Sequence, residues 1–377
     1  MTATPHAHPM SDDPFAHATL AEDYLVVVLH LQSSPEYSQF LRYLLSVQQT
    51  DPCSQNGWSV RLPSGHRALK QPGGSDYGGA QYPYALLIAG ATVLLRDYPR
   101  GDAGPPDMVV IIPGQPCLHY GGQRLLHWLY RIILDRTGCT PTDTELRRVD
   151  LALDVPGLSV APFVEAARNR QYVKGTKRVS TDDGDGDAVH VGSAKSGARL
   201  TIYDKMAQAR RSGQDLVEAM RQRRWGGVIP EAATRIEFQL RSSYLRKHGI
   251  RTLPDLLAHR AHLLYELTYN WFRFTTRRPH PNNTSRTPIL PEWNQVHWAL
   301  RRLAGEPPDQ APPAVQVRRP EGQLAAQGIG SLLSAAARSS RDIRTVSELV
   351  SYVEELIGDR IGDNEAVHRE IETRRLR

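Results

Sequence analysis

Four short segments in the middle of the chain alternate apolar and polar residues with a period of two. That period constrains the fold more than any other feature of the sequence. In Arg148-Val-Asp-Leu-Ala-Leu-Asp154, Val149, Leu151 and Leu153 alternate with Arg148, Asp150, Ala152 and Asp154. In Val189-His-Val191 a histidine stands between two valines. In Arg199-Leu-Thr-Ile-Tyr-Asp204, Leu200 and Ile202 alternate with Arg199, Thr201 and Tyr203. In Arg235-Ile-Glu-Phe-Gln-Leu-Arg241, Ile236, Phe238 and Leu240 alternate with Arg235, Glu237, Gln239 and Arg241. Successive side chains of a strand point to opposite faces, so each segment is a strand with one apolar and one polar face.

If the four strands share a sheet, Asp150, Asp154, Glu237, His190 and Tyr203 converge, ringed by Arg148, Arg199 and Arg235. Carboxylate oxygens suit a hard divalent cation, Mg²⁺ or Mn²⁺. Such an ion polarises a phosphodiester oxygen, a tyrosine beside it can attack phosphorus, and arginines hold phosphates bidentately. A plain antiparallel sheet with one solvated face shows the same alternation, and a buried structural tyrosine bonded to Asp150 would look the same. Both alternatives stand at this point.

The rest of the chain fits an α+β protein. The run 24–31 is β-branched and apolar, a buried strand. Ser33 and Glu36 open a helix in capping-box style, with Phe40, Leu41, Leu44 and Leu45 as its stripe. Residues 50–84 read as loop or irregular hairpin, and two strands follow over 85–95 and 108–112. Helices are expected over 123–136, 161–170, 205–223 and 253–275. The acidic stretch 181–187 reads as a solvated hairpin loop, because Ala188 stands where a calcium loop needs glycine and no closing Glu follows. The expected organisation is a disordered tail at 1–20, one catalytic domain at 21–303, a proline-rich linker at 304–320 and a helical region at 321–377.

Composition narrows the class. The chain has 377 residues, 40% of them hydrophobic, with no apolar run of membrane length, so no membrane partner is expected. The three cysteines, Cys53, Cys117 and Cys139, are widely spaced and fit a reducing, cytoplasmic setting. The net charge of +6 favours a polyanionic partner.

The motifs Arg148-Val-Asp-Leu-Ala-Leu-Asp154, His190-Val-Gly-Ser-Ala-Lys-Ser196, Leu200-Thr-Ile-Tyr-Asp-Lys205 and Thr234-Arg-Ile-Glu-Phe-Gln-Leu-Arg241 come in an order that resembles the replication initiation factor family. These are the rolling-circle initiators of small plasmids and filamentous phages, with related conjugative relaxases. The likeness extends over roughly residues 20 to 340. It includes Asp23-Tyr24, the stretches 78–84 and 113–117, and the crossing from Asn282 to Trp293.

The resemblance implies a central, mostly antiparallel sheet of HUH-endonuclease-like type, with helices on one face and a helical C-terminal extension. It implies a nicking-joining endonuclease that cuts one strand of an origin, as single strand or hairpin. The cut forms a 5′-phosphotyrosine link and leaves a 3′-OH primer. Carried onto this chain, Tyr203 is the candidate nucleophile. Asp150 and Glu237, then Asp154, are candidate ligands of Mg²⁺ or Mn²⁺. Lys205 and Arg235 contact phosphate or orient the site. Ser193 and Ser196 lie in a turn that could position a phosphate. The family pattern has an aromatic where this chain has His190, which either joins the metal shell or only fills the face.

Nicking also needs grip. Arg148 and Arg199 border the site, and Arg221, Arg223, Arg224 and Trp225 combine cations with an aromatic. Phosphate contact with base stacking is one reading of this cluster; a solvated helix end is the other. Arg273, Arg277, Arg278 and Arg286 form a second basic stretch. A host helicase and a second copy of the chain, through the 346–361 helix, are further partners this reading admits. A conjugative relaxase and a non-catalytic DNA-binding regulator remain the rival functions.

Overall fold

The computed structural model describes residues 17–50, 57–97, 104–175, 178–182, 187–280, 282, 284–308, 310, 312–315 and 321–375. Two compact units divide the chain, Met1–Gln316 and Val317–Arg377. Of the expected tail, residues 1–16 lie outside the described residues, as do Cys53, positions 183–186 of the acidic loop, and 309, 311 and 316–320 of the proline-rich stretch.

The first unit opens with β1 (Thr19–Gln32), which contains the apolar run, and α1 (Pro35–Thr50). Ser34 rather than Ser33 caps α1, its Oγ accepting from the Tyr37 amide at 3.0 Å. Tyr37, Phe40, Leu41 and Leu44 are buried, while Leu45 is exposed, one step round from the stripe. Four short strands occupy the region expected as loop or irregular hairpin: β2 (Trp58–Arg61), β3 (Arg67–Lys70), β4 (Ser75–Tyr77) and β5 (Ala80–Tyr82). The single strand expected over 85–95 is a hairpin of β6 (Tyr84–Ile88) and β7 (Ala91–Leu95). Ala89 and Gly90 turn it, both at positive φ (49° and 79°). A two-residue turn of that kind matches the twist of the flanking strands.

After β8 (Met108–Ile112) come α2 (Gly114–Tyr120) and α3 (Gly122–Tyr130), which runs into a π-helical turn at Arg131–Asp135. The long β9 (Thr140–Pro156) follows, then α4 (Ala161–Arg168), β10 (Tyr172–Lys174), β11 (Val179–Asp182), β12 (Ala188–Val191) and β13 (Ala198–Asp204). The helix expected over 205–223 is two, α5 (Lys205–Ser212) and α6 (Gln214–Arg223), broken at Gly213 with φ 111°. Next are β14 (Ala233–Arg241), α7 (Ser242–Leu245) and α8 (Leu253–Tyr265). The helix expected to reach 275 ends in a π-helical turn at Glu266–Trp271 and gives way to β15 (Phe272–Phe274), paired with β10. Phe272 and Phe274 are buried on either side of Arg273, so the period has already become two. The unit closes with α9 (Pro291–Ala304). Part of the expected linker is tied down, since the Val315 amide donates to the Arg246 carbonyl at 2.7 Å.

The main sheet has eleven strands among the described residues, in the order β11-β12-β13-β14-β9-β1-β8-β7-β6-β3-β2. All its described pairings are antiparallel. One face carries Leu25, Val27, Leu29, Val149, Leu151, Leu153, Leu200, Ile202, Ile236 and Phe238 in a single core with α1, α3, α4, α8 and α9. Each such side chain contributes about 1.5–3 kcal/mol by leaving water. The other face is covered in part, which corrects the expectation of helices on one face only. The α5–α6 pair packs Met206, Val217, Met220 and Trp225 against Ala233. Tyr77 and Ala80 of the β4–β5 hairpin lie on Val26, Val28 and Val109. Between these patches the second face stays polar.

The second unit holds α10 (Glu321–Arg338), α11 (Val346–Ile361) and α12 (Asn364–Arg375). A capping box of Thr345 and Glu348 starts α11, and Arg341 pairs with Glu355 at 2.5 Å. Among the described residues, no helix is long and apolar enough to cross a membrane. Cys117 and Cys139 are free and buried.

Candidate active site

Strand register builds the polar face in three rows. Tyr203 lies opposite Arg235, and Arg235 opposite Asp154. His190 lies opposite Thr201, Thr201 opposite Glu237, and Glu237 opposite Ala152. Arg199 lies opposite Gln239, Gln239 opposite Asp150, and Asp150 opposite Tyr24. The four alternating segments therefore share one sheet with their polar sides together.

The Tyr-Asp-Lys motif marks where β13 becomes α5. Tyr203 is the last face-directed side chain of the strand. Asp204 is the N-cap, its Oδ1 accepting from the Ala207 amide at 2.8 Å. Lys205 is the first helical residue and is buried, with Nζ 5.7 Å from the centre of the Tyr203 ring. The Tyr203 hydroxyl donates to Glu237 Oε2 at 3.2 Å, not to Asp150.

Two arginine–carboxylate pairs frame these groups. Arg148 donates to both oxygens of Asp150, at 2.9 and 2.6 Å, and lies over the Tyr24 ring at 4.3 Å. Arg235 donates to both oxygens of Asp154, at 2.7 and 2.8 Å, and to Asp23 Oδ2 at 2.7 Å. Asp154 is 0% and Arg235 1% exposed. Asp23 reaches the site through a bulge in β1. Glu22 pairs with Leu151 and Tyr24 with the adjacent Asp150, leaving Asp23 as the extra residue.

Burial dominates the titration of the cluster. It pushes the carboxyl of Glu237 up, and the charges of Asp23 and Asp150 add to the shift. It pushes Asp150 up as well, against the bonds from Arg148. Burial also raises the Tyr203 phenol, which Arg235 opposes, so the phenol is protonated at rest. Burial, with Arg235 adding to it, lowers the Lys205 ammonium to about 8.

That last shift gives a test of stability. Between about 8 and 10.5 the unfolded lysine holds a proton that the folded one lacks, so stability rises with pH across this window. Below it the burial cost is present in full. Lys205→Met is therefore expected to stabilise the protein by on the order of 2 kcal/mol at pH 7. Urea unfolding at pH 7 and pH 10 checks this; a gain of equal size at both values contradicts the assignment.

The expected metal set fits in part. Asp150 and Glu237 are hard oxygen donors on neighbouring rows, and each resists ionisation in a way that a nearby cation would relieve. Asp154 does not fit, because it is fully buried and the equally buried Arg235 takes both of its oxygens. Arg148 likewise takes both oxygens of Asp150, but its side chain is 26% exposed, so a cation would reach Asp150 by displacing Arg148. His190 does not fit either, since its Nε2 donates to Asp182 at 2.8 Å and its Nδ1 accepts from Arg199 at 3.1 Å. Among the described residues, no group of three His, Cys, Asp or Glu is placed to hold a metal ion.

The expected DNA contacts divide. Arg235 is 1% exposed and held in ion pairs with Asp154 and Asp23, so it is not presented to a phosphate. Trp225 is fully buried with Met206 and Met220, so it is core and not a stacking platform. Arg224 turns inward to the Glu22 carbonyl at 3.1 Å and Asp23 at 3.6 Å. Arg221 is paired with Glu218 on its own helix at 2.6 Å, and Arg223 alone of this cluster is exposed. Ser196 Oγ lies 2.6 Å from the Ser193 and Ala198 carbonyls and closes the turn, while Ser193 is exposed at its tip. Arg148 and Arg199 border the polar face as expected.

Asp23 is the residue that sequence reasoning missed as part of the site. Its signal was an acidic pair, Glu22-Asp23, at the mouth of an otherwise apolar strand.

No family model and no curated protein matches the chain. Among solved structures, a rolling circle replication initiator protein from Geobacillus stearothermophilus is similar, with 15% identity, 77% of this chain and 99% of that chain covered, and a TM-score of 0.48.

Proposed function

We propose that this protein nicks and rejoins one strand of DNA at a rolling-circle origin, with Tyr203 as nucleophile. One observation carries the reading: a protonated phenol donates a hydrogen bond to a buried carboxyl whose own ionisation is disfavoured. Glu237 is thereby suited to take the phenol proton as attack begins. The Tyr203 oxygen bonds to phosphorus, the bond from phosphorus to the 3′-oxygen breaks, and a 5′-phosphotyrosine and a 3′-hydroxyl result. The proton lost by the phenol balances the one the leaving oxygen gains. Lys205, beside the Tyr203 ring, supplies positive charge toward the phosphate. A divalent cation, when bound, would be held by Asp150 and Glu237 and would polarise the phosphodiester. The order of the motifs along the chain supports the same reading.

The test uses the whole protein with supercoiled DNA carrying its own candidate origin and Mg²⁺ or Mn²⁺. Open circle with protein attached at a 5′ end is the expected product, and EDTA is expected to suppress it. Nicking unchanged in EDTA removes the metal from the mechanism. Binding without any nicking leaves the non-catalytic regulator as the function.

A further inference from the structure

Two arginines on the polar face take no part in the chemistry above. Arg199 and Arg241 are partly buried, and neither has a carboxylate partner among the described residues. The Nε–H of each is shielded from solvent and meets no acceptor. A polar group left in that state costs about 1–3 kcal/mol, more for a charged group. They are neighbours, since Arg199 lies opposite Gln239, two residues from Arg241 along β14. Arg241 also lies directly opposite Arg148 on β9. Like charges placed opposite each other across strands repel. An anion held by the partly exposed ends of the two side chains relieves the repulsion between these neighbouring charges, which the shielded Nε–H groups cannot relieve.

The surroundings hold these side chains in place. Arg241 donates through Nη2 to the Ala194 carbonyl at 3.1 Å, and its amide donates to the Gly197 carbonyl at 2.8 Å. A Cβ at Gly197 would stand 2.9 Å from Ser243 Oγ and 3.2 Å from Tyr244 Cβ, so glycine lets the turn approach the end of β14. The same turn presents Lys195 to solvent. Along β13, Arg199 is four residues from Tyr203 on the same face, roughly 13 Å at the usual rise. Arg241 is as far from Glu237 along β14.

We propose that Arg199 and Arg241, with Lys195 at the rim, form a seat for a backbone phosphate of the same DNA strand, one flank away from the phosphate that Tyr203 attacks. The seat rests on the nicking reading for its position but is tested by binding alone. Binding of a labelled single-stranded oligonucleotide of mixed sequence is measured by fluorescence anisotropy across a salt series. Arg199→Gln and Arg241→Gln are each expected to weaken binding about tenfold. Each should also reduce the slope of log K against log salt by about 0.7, and the double variant by about 1.4. Arg199→Lys and Arg241→Lys keep the slope and lose affinity, because the charge remains while the guanidinium fork is gone. If a Gln variant fails to fold, the Lys variants carry the test.

Unchanged affinity and slope overturn the seat. So does an equal loss on an oligonucleotide with an uncharged methylphosphonate backbone. A normal binding loss together with a Tyr203→Phe protein that still nicks would leave the seat standing and remove the nucleophile, so the two failures are separable.

Discussion

Tyr203→Phe is expected to abolish covalent attachment to DNA while the protein stays folded and still binds single strands. The change removes one oxygen. In the fold, that oxygen makes a single hydrogen bond of 3.2 Å to Glu237, worth about 1 kcal/mol. In the proposed reaction it is the atom that bonds to phosphorus, so the expected rate loss is at least about 10⁴-fold. Denaturing gels of protein incubated with origin DNA and Mg²⁺ or Mn²⁺ read the adduct directly. Tyr24→Phe is the control, since Tyr24 is a second tyrosine on this part of the sheet and lies under Arg148. Four other tyrosines of the chain are placed elsewhere. Tyr172 packs on Phe272 in the small two-stranded sheet, Tyr265 and Tyr269 stack beside His297, and Tyr244 lies against His248. An adduct formed by the Tyr203→Phe protein would move the nucleophile to another residue.

Arg235→Met is expected to destabilise the protein by about 3–5 kcal/mol, the range for breaking a buried ion pair by removing one partner. Burial works against the charge on Arg235, yet Asp154 and Asp23 outweigh it and hold its proton well above the ordinary guanidinium range. Without the arginine, Asp154 is left fully buried with its two main donors gone; Arg224 is no closer than 4.0 Å. The double variant Arg235→Met/Asp154→Leu is expected to recover most of the loss, because the unmatched charge is gone. Urea unfolding of the two singles and the double completes the cycle. A single variant that folds with normal stability but fails to bind DNA would restore Arg235 to phosphate contact. The strand motif identified this residue; its neighbours decide that it is scaffold, holding β1, β9 and β14 together at the site.

Legibility in the sequence followed the range of the interaction. The period-two segments were readable because alternation is local, and strands β9, β12, β13 and β14 lie where that pattern put them. Helix α11 likewise follows its spacing of Leu349, Val350, Val353, Leu356 and Ile357. Local turn chemistry was harder. The hairpin at Ala89-Gly90 hid inside a continuous apolar run, and Gly213 divided what one amphipathic pattern joined. The Phe272–Phe274 strand was absorbed into a helix because its partner, Tyr172–Lys174, is about a hundred residues earlier in the chain.

The site divides in the same way. That Asp150, Asp154, Tyr203, Arg235 and Glu237 each lie on the polar side of their own strand is a property of alternation, and the sequence alone determined it. Which carboxylate meets which arginine is a property of register and bulges. A one-residue insertion in β1 brings Asp23 to Arg235, and β14 beside β9 gives Asp154 to Arg235 while Glu237 is left for Tyr203. Burial was decided at the same level. Trp225 and Arg224 look like a basic, aromatic surface along the chain, but the packing of α5 and α6 on the sheet turns both inward. Short-range pattern sets the direction of a side chain, whereas its partners come from segments far away in sequence, and only the assembled sheet brings those within hydrogen-bonding distance.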